Sequence, residues 1–313
     1  MAKRIILLVI VILAGSVSLG YIERVRVFRI STALLQKIGY TPIRIQPTEV
    51  EFLSGNLRLR GSLYIPAAFI RKFPTIVICH GGTALGRQLA MYVVMAQELS
   101  KRGYVVLTFN FRGFGDSEDP HRFETFSDLD FVQDVSSALT YLSGLKQVDP
   151  SKLYVVGHSF GAGIAVSAGV RDFRVKKVIS ISPGRNTEKR FFGKNAFDPD
   201  YPSKRMSEDM NIHPPIPRAI FDPHLKDYVA EAILNYPVHP PILLVDGERE
   251  SQEDLKFLRY VYKNMTEPKG YVSIHAADHY FGTERNQDGS SGKIDYNETI
   301  MSELIDVIDN WFR

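Results

Sequence analysis

The chain has 313 residues, 44% hydrophobic and 23% charged, with a formal net charge of +3. That size and balance suit one large globular domain and exclude disordered, collagen-like and coiled-coil chains, and so small a charge gives nucleic-acid binding no electrostatic support. The single cysteine, Cys79, excludes an intramolecular disulfide and a multi-cysteine zinc site, and its apolar run predicts a buried, unreactive thiol.

Lys3 and Arg4 precede an uncharged run over residues 5–20. That run is near the shortest length that spans a hydrocarbon core of about 30 Å. Residues 1–22 are therefore read as an apolar N-terminal anchor, with a cleaved signal segment as the alternative. The first reading implies membrane association and the second secretion. Arg24, Arg26 and Arg29 oppose Lys3 and Arg4, so the charge rule leaves the orientation open. Residues 23–47 read as a juxtamembrane linker, a helix lying on anionic lipid or a solvated connection.

From residue 48 the pattern changes. Two β-rich segments, 50–53 and 57–65, flank Ser54, Gly55 and Asn56, a hairpin signal. Strands are then predicted at 75–79, 104–109, 153–156, 178–182, 242–245 and 271–274. Helices are predicted at 88–102, 127–142, 160–171, 253–264 and 297–312. Short apolar strands alternating with helices predict an α/β fold with a mainly parallel sheet covered on both faces. The alternation is broken over residues 184–240, which are rich in proline and charge and hold one helical candidate at 223–235. A segment of that kind between core strands reads as a cap. Asp128, Asp130 and Asp134 are read as the solvated start of the second helix.

Gly157-His158-Ser159-Phe160-Gly161 follows the 153–156 strand and opens the 160–171 helix. This is the context a G-x-S-x-G elbow requires. A sharp turn presents Ser159 in strained backbone, and glycines two residues to either side let neighbouring chain pass closely. The turn also aims the first N–H groups of the helix at developing negative charge.

GHSFG at 157–161, His80-Gly81-Gly82, the RGFGDS stretch at 112–117 and Asp278-His279 together resemble the α/β-hydrolase superfamily, over roughly residue 48 to the C-terminus. The resemblance implies an α/β-hydrolase fold and a Ser-acid-His order along the chain. It implies His279 as base, with His275 as rival; His158 adjoins Ser159 and is read as facing elsewhere. The acid belongs in the loop after 242–245, where Asp246, Glu248, Glu250 and Asp254 all qualify by proximity. The family register points to Glu250 over Asp246, although most relatives carry Asp there. Asp278 reads as a hydrogen-bonding residue of the loop. Oxyanion donors are expected at the backbone N–H of Phe160 and, by the same register, of Gly82. The 112–117 loop reads as scaffold.

No H-E-x-x-H, Walker-type loop or dinucleotide fingerprint is present, and no cofactor or metal is implied. The expectation is a serine hydrolase of a carboxylic ester, thioester or related acyl bond. The substrate would be a small molecule or a lipid. A serine aminopeptidase-like peptide hydrolase and a non-catalytic binding protein on the same fold are the alternatives.

Overall fold

The computed structural model describes residues 45–66, 72–120, 130–183, 230–290 and 293–313. The expected anchor, nearly all of the linker and most of the 184–240 cap lie outside them, as do His121, His213 and His224. Among the described residues no helix is long and apolar enough to cross a membrane.

Eight strands form one sheet: β1 (Thr48–Ser54), β2 (Leu57–Tyr64), β3 (Phe73–Cys79), β4 (Val105–Phe109), β5 (Val148–His158), β6 (Val175–Ile181), β7 (Ile242–Gly247) and β8 (Lys269–Ile274). Their order is β1-β2-β4-β3-β5-β6-β7-β8. The β1/β2 hairpin and the β2/β4 pair are antiparallel, and every later pair is parallel. The hairpin turns at Gly55, whose φ of 59° favours glycine.

Among the described residues five helices cover the faces: α1 (Ala90–Lys101), α2 (Phe131–Ser143), α3 (Phe160–Arg171), α4 (Gln252–Asn264) and α5 (Glu298–Phe312). The strands alternate between two cores. Val77 and Cys79 of β3 join Leu139 of α2, Ile164 of α3 and Leu258 of α4 on one face. Ile76 and Ile78 join Met95 of α1 and Leu304 of α5 on the other. Each such large side chain contributes roughly 1.5–3 kcal/mol on burial. A central strand buried on both sides reads as a continuous apolar run, which is why Phe73–Cys79 shows no polar alternation.

β5 and the 223–235 segment differ most from the sequence reading. β5 starts at Val148, five residues before the expected 153, because Val148 pairs with Phe73 ahead of a register shift. The 223–235 helix is described only from Ala230, where the chain forms a short 3-10 turn, Ala230–Asn235.

The 112–117 loop ties the hairpin to the sheet. Arg112 Nε and Nη2 both donate to Asp134 Oδ1, at 2.9 and 2.7 Å, and Nη2 also reaches Ser54 Oγ at 3.2 Å. Asp134 is fully buried, so its reading as part of a solvated helix start is corrected. A carboxylate on the inner face of α2 is stable there because the Arg112 guanidinium donates twice to Oδ1 and the Arg112 backbone N–H donates to Oδ2 at 3.0 Å. Asp130 does cap the helix, accepting from Gln133 N–H at 2.9 Å, and Asp128 lies outside the described residues. The nearly buried Arg87 completes the scaffold, donating to Asp116 and Glu49.

Candidate active site

β3, β5, β7 and β8 run parallel, so their C-terminal ends share one edge of the sheet, where crevices form in this class of fold. The loops leaving those ends carry Gly82, Ser159, Glu250 and His279.

Ser159 stands between β5 and α3 with φ 53° and ψ −115°, outside the backbone regions an L-residue prefers. Its N–H donates to the Ile181 carbonyl of β6 at 2.9 Å, which holds the turn in place. The flanking glycines are steric necessities. A β-carbon on Gly157 would lie 2.1 Å from the Gly161 carbonyl oxygen, and one on Gly161 would lie 2.4 Å from that of Cys79. Phe160 is the first residue of α3, and its ring is buried against Phe111, Phe114 and Phe131.

The loop after β3 passes directly beside the elbow. A β-carbon on Gly81 would meet the β-carbon of Ser159 at 3.0 Å, so any larger residue must displace the elbow by a few tenths of an ångström. Gly82, the next residue, is half-buried. His80 fixes the loop from beneath: Nδ1 bonds to the Gly81 carbonyl at 2.7 Å and Nε2 accepts from Phe111 N–H at 3.3 Å. Burial pushes its imidazole down to about 4, so it is neutral at physiological pH.

Acid and base are brought together. His279 Nδ1 lies 2.8 Å from Glu250 Oε1. Glu250 is the better buried of the two, with 8% of its side chain exposed against 24% for His279. The two loops are joined by main-chain bonds: Arg249 N–H to the Ala277 carbonyl at 2.8 Å and Glu248 N–H to that of Ile274 at 3.0 Å.

The other carboxylates of this loop have different partners. Asp246 is buried and accepts from the Tyr271 hydroxyl at 2.6 Å, and burial raises its carboxyl above the usual range. Glu248 faces out and pairs with His275, whose side chain is 83% exposed. Asp254 sits in the first turn of α4, bonded to Ser251. Asp278 accepts from the N–H groups of Tyr280 and Gly282, the loop-building role read from the sequence. Among the described residues no three His, Cys, Asp or Glu side chains cluster as metal ligands.

Sequence reasoning passed over His158 and Tyr92. His158 is buried, its ring centroid 4.8 Å from that of His279, and Tyr92 of α1 bonds to it at 2.8 Å. The elbow motif leaves its second position unspecified, so no local signal marked this histidine.

Residues 74–204 match the family profile described as alpha/beta hydrolase fold. Over 139 residues the chain is 32% identical to the quorum-quenching protein AidA of Acinetobacter baumannii (strain MDR-ZJ06), covering 44% of each chain. Over 137 residues it is 33% identical to the thiohydrolase aneE of Aspergillus aculeatus (strain ATCC 16872 / CBS 172.66 / WB 5094), 44% of this chain and 41% of that one. The chain thus spans less than half the length of the curated relatives it matches. Among solved structures, Est1E of Butyrivibrio proteoclasticus with bound ferulic acid superposes with a TM-score of 0.57 at 18% identity, covering 84% of this chain and 97% of that one. Sheet topology and these similarities agree: the chain has the α/β-hydrolase fold, and residues 74–204 are similar to the family of that name.

Proposed function

We propose that the protein is a serine hydrolase that cleaves a carboxylic ester, thioester or related acyl bond through an acyl-enzyme. The observation that carries this reading is the 2.8 Å contact between Glu250 and His279 at the same sheet edge as the strained elbow of Ser159. The thiohydrolase aneE, and Est1E with ferulic acid bound on the same fold, support an acyl substrate.

In this mechanism Ser159 Oγ attacks the acyl carbonyl while Nε2 of His279 takes its proton. Glu250, bonded to Nδ1, holds the imidazole in the tautomer that leaves Nε2 free to accept, and stabilises the imidazolium that forms. The backbone N–H groups of Phe160 and Gly82 stabilise the oxyanion, each donor contributing about 10²- to 10³-fold in rate. His279 then returns the proton to the leaving group. Water, deprotonated by the same imidazole, releases the acid.

The test is reaction of the detergent-solubilised full chain with a fluorophosphonate probe, in wild type, Ser159→Ala and His279→Ala. Labelling of wild type that both substitutions abolish supports an activated serine. A folded wild type that takes no label removes the triad and leaves the binding-protein reading. We also propose that residues 1–22 tether the chain to a membrane, on the strength of their uncharged run. Release of the full chain from membranes by an alkaline carbonate wash would end that proposal.

A further inference from the structure

A chain of three hydrogen bonds, two of them fully buried, runs behind the site. Gly81 N–H donates to the Tyr92 hydroxyl at 2.7 Å, Tyr92 Oη lies 2.8 Å from His158 Nδ1, and His158 Nε2 lies 2.8 Å from the carbonyl oxygen of His279. The proton positions follow from the partners. A carbonyl only accepts, so Nε2 must carry the proton; Nδ1 is then an acceptor, and the Tyr92 hydroxyl donates to it while accepting from Gly81. The other neutral tautomer would set the Nε2 lone pair against a carbonyl lone pair. One neutral imidazole with one tautomer satisfies every group in the chain, and the buried surroundings favour that neutral form.

The three bonds join three separate loops. Gly81 adjoins the expected oxyanion donor Gly82, His158 adjoins Ser159, and the carbonyl acceptor belongs to His279 itself. The packing leaves no slack: a β-carbon on Gly81 would be 3.0 Å from the Tyr92 hydroxyl and 3.3 Å from His158 Nδ1. The rings of His279, Tyr280 and Phe281 enclose the imidazole from the base loop.

We infer that His158, acting with Tyr92, is a positioning residue of the reaction, setting the spacing between the oxyanion loop, the nucleophile and the base through bonds to main-chain atoms. The inference rests on the serine-hydrolase reading above. Displacements of about 1 Å in such a constellation cost as much as 10²-fold in rate.

The experiment has two arms on the full chain. Nitrogen-15 histidine NMR should find His158 protonated at Nε2, and not titrating, from pH 5 to 8. Hydrolysis of p-nitrophenyl butyrate should show a 10- to 100-fold fall in kcat for Tyr92→Phe with KM within about twofold. His158→Leu should fall further than His158→Gln, which keeps a donor and an acceptor. A His158 that titrates in that range or carries its proton on Nδ1 overturns the bonding scheme. Folded variants whose kcat stays within twofold of wild type overturn the positioning role alone. A wild type that neither hydrolyses esters nor reacts with a fluorophosphonate overturns the serine-hydrolase reading and the positioning role with it.

Discussion

A β-carbon placed on Gly247 would lie 2.5 Å from the carbonyl oxygen of Ala277. The contact joins the end of β7, which leads to Glu250, with the loop that carries His279. Gly247→Ala must push these loops apart at the point where their main chains bond. Overpacking of this kind costs about 1–3 kcal/mol. The loss of kcat on p-nitrophenyl butyrate should exceed tenfold, because the displacement falls between acid and base. A variant with full activity and an unchanged melting temperature would show that the loops accommodate the methyl group.

Glu250 and Asp246 are separable by substitution. Glu250→Gln keeps the shape of the side chain and loses the charge that orients His279, so kcat should fall roughly 10³- to 10⁴-fold. Asp246→Asn, whose carboxyl is held by Tyr271, should stay within tenfold of wild type. Equal losses in the two variants would reject Glu250 as the sole acid.

The Arg112–Asp134 pair is buried on both sides, with 6% and 0% of the side chains exposed. Asp134→Leu alone strands a guanidinium in the core and should cost about 3–5 kcal/mol in urea unfolding. The double variant Arg112→Met/Asp134→Leu should recover most of that loss, since neither charge then lacks a partner. A double variant no more stable than the single would mean that Arg112 matters through Ser54 and its main-chain contacts.

Acid should weaken the fold already in the range where free imidazoles take up protons. His80 is held near 4 and His158 well below its ordinary value, both by burial. In the unfolded chain the same imidazoles bind protons near 6.5, so below that pH the unfolded state takes up protons that the folded state refuses. Stability is complete above about 6.5 and falls as pH drops toward 4, by roughly 3 kcal/mol for His80 alone. Urea midpoints of the full chain at pH 7.5, 6.0 and 5.0 should decrease in that order, and equal midpoints would contradict the buried neutral state.

The alternation of strand and helix was legible because burial on both sheet faces writes itself as short apolar runs, as in Phe73–Cys79. The elbow was legible because close approach at Gly157 and Gly161 admits only glycine. Asp134 was misread: its place on α2 looked polar and exposed, and its partner Arg112 stands 22 residues away in sequence. The Tyr92–His158 bond joins residues 66 apart and rests on ring orientation, which no spacing encodes. Glu250 was reached through family register, and its pairing with His279 depends on how two loops fold together.

Cys79 ends the central strand directly beneath the elbow, with no exposed surface and a thiol that burial raises further from ionisation. It is also the chain's sole sulfhydryl. A thiol-reactive dye can reach it only when the helical layer over this face of β3 opens, so dye uptake becomes a clock for that opening, read without engineering a probe into the molecule. A ligand that closes the site should slow that clock, which makes the cysteine a means of screening for the substrate before its chemistry is known.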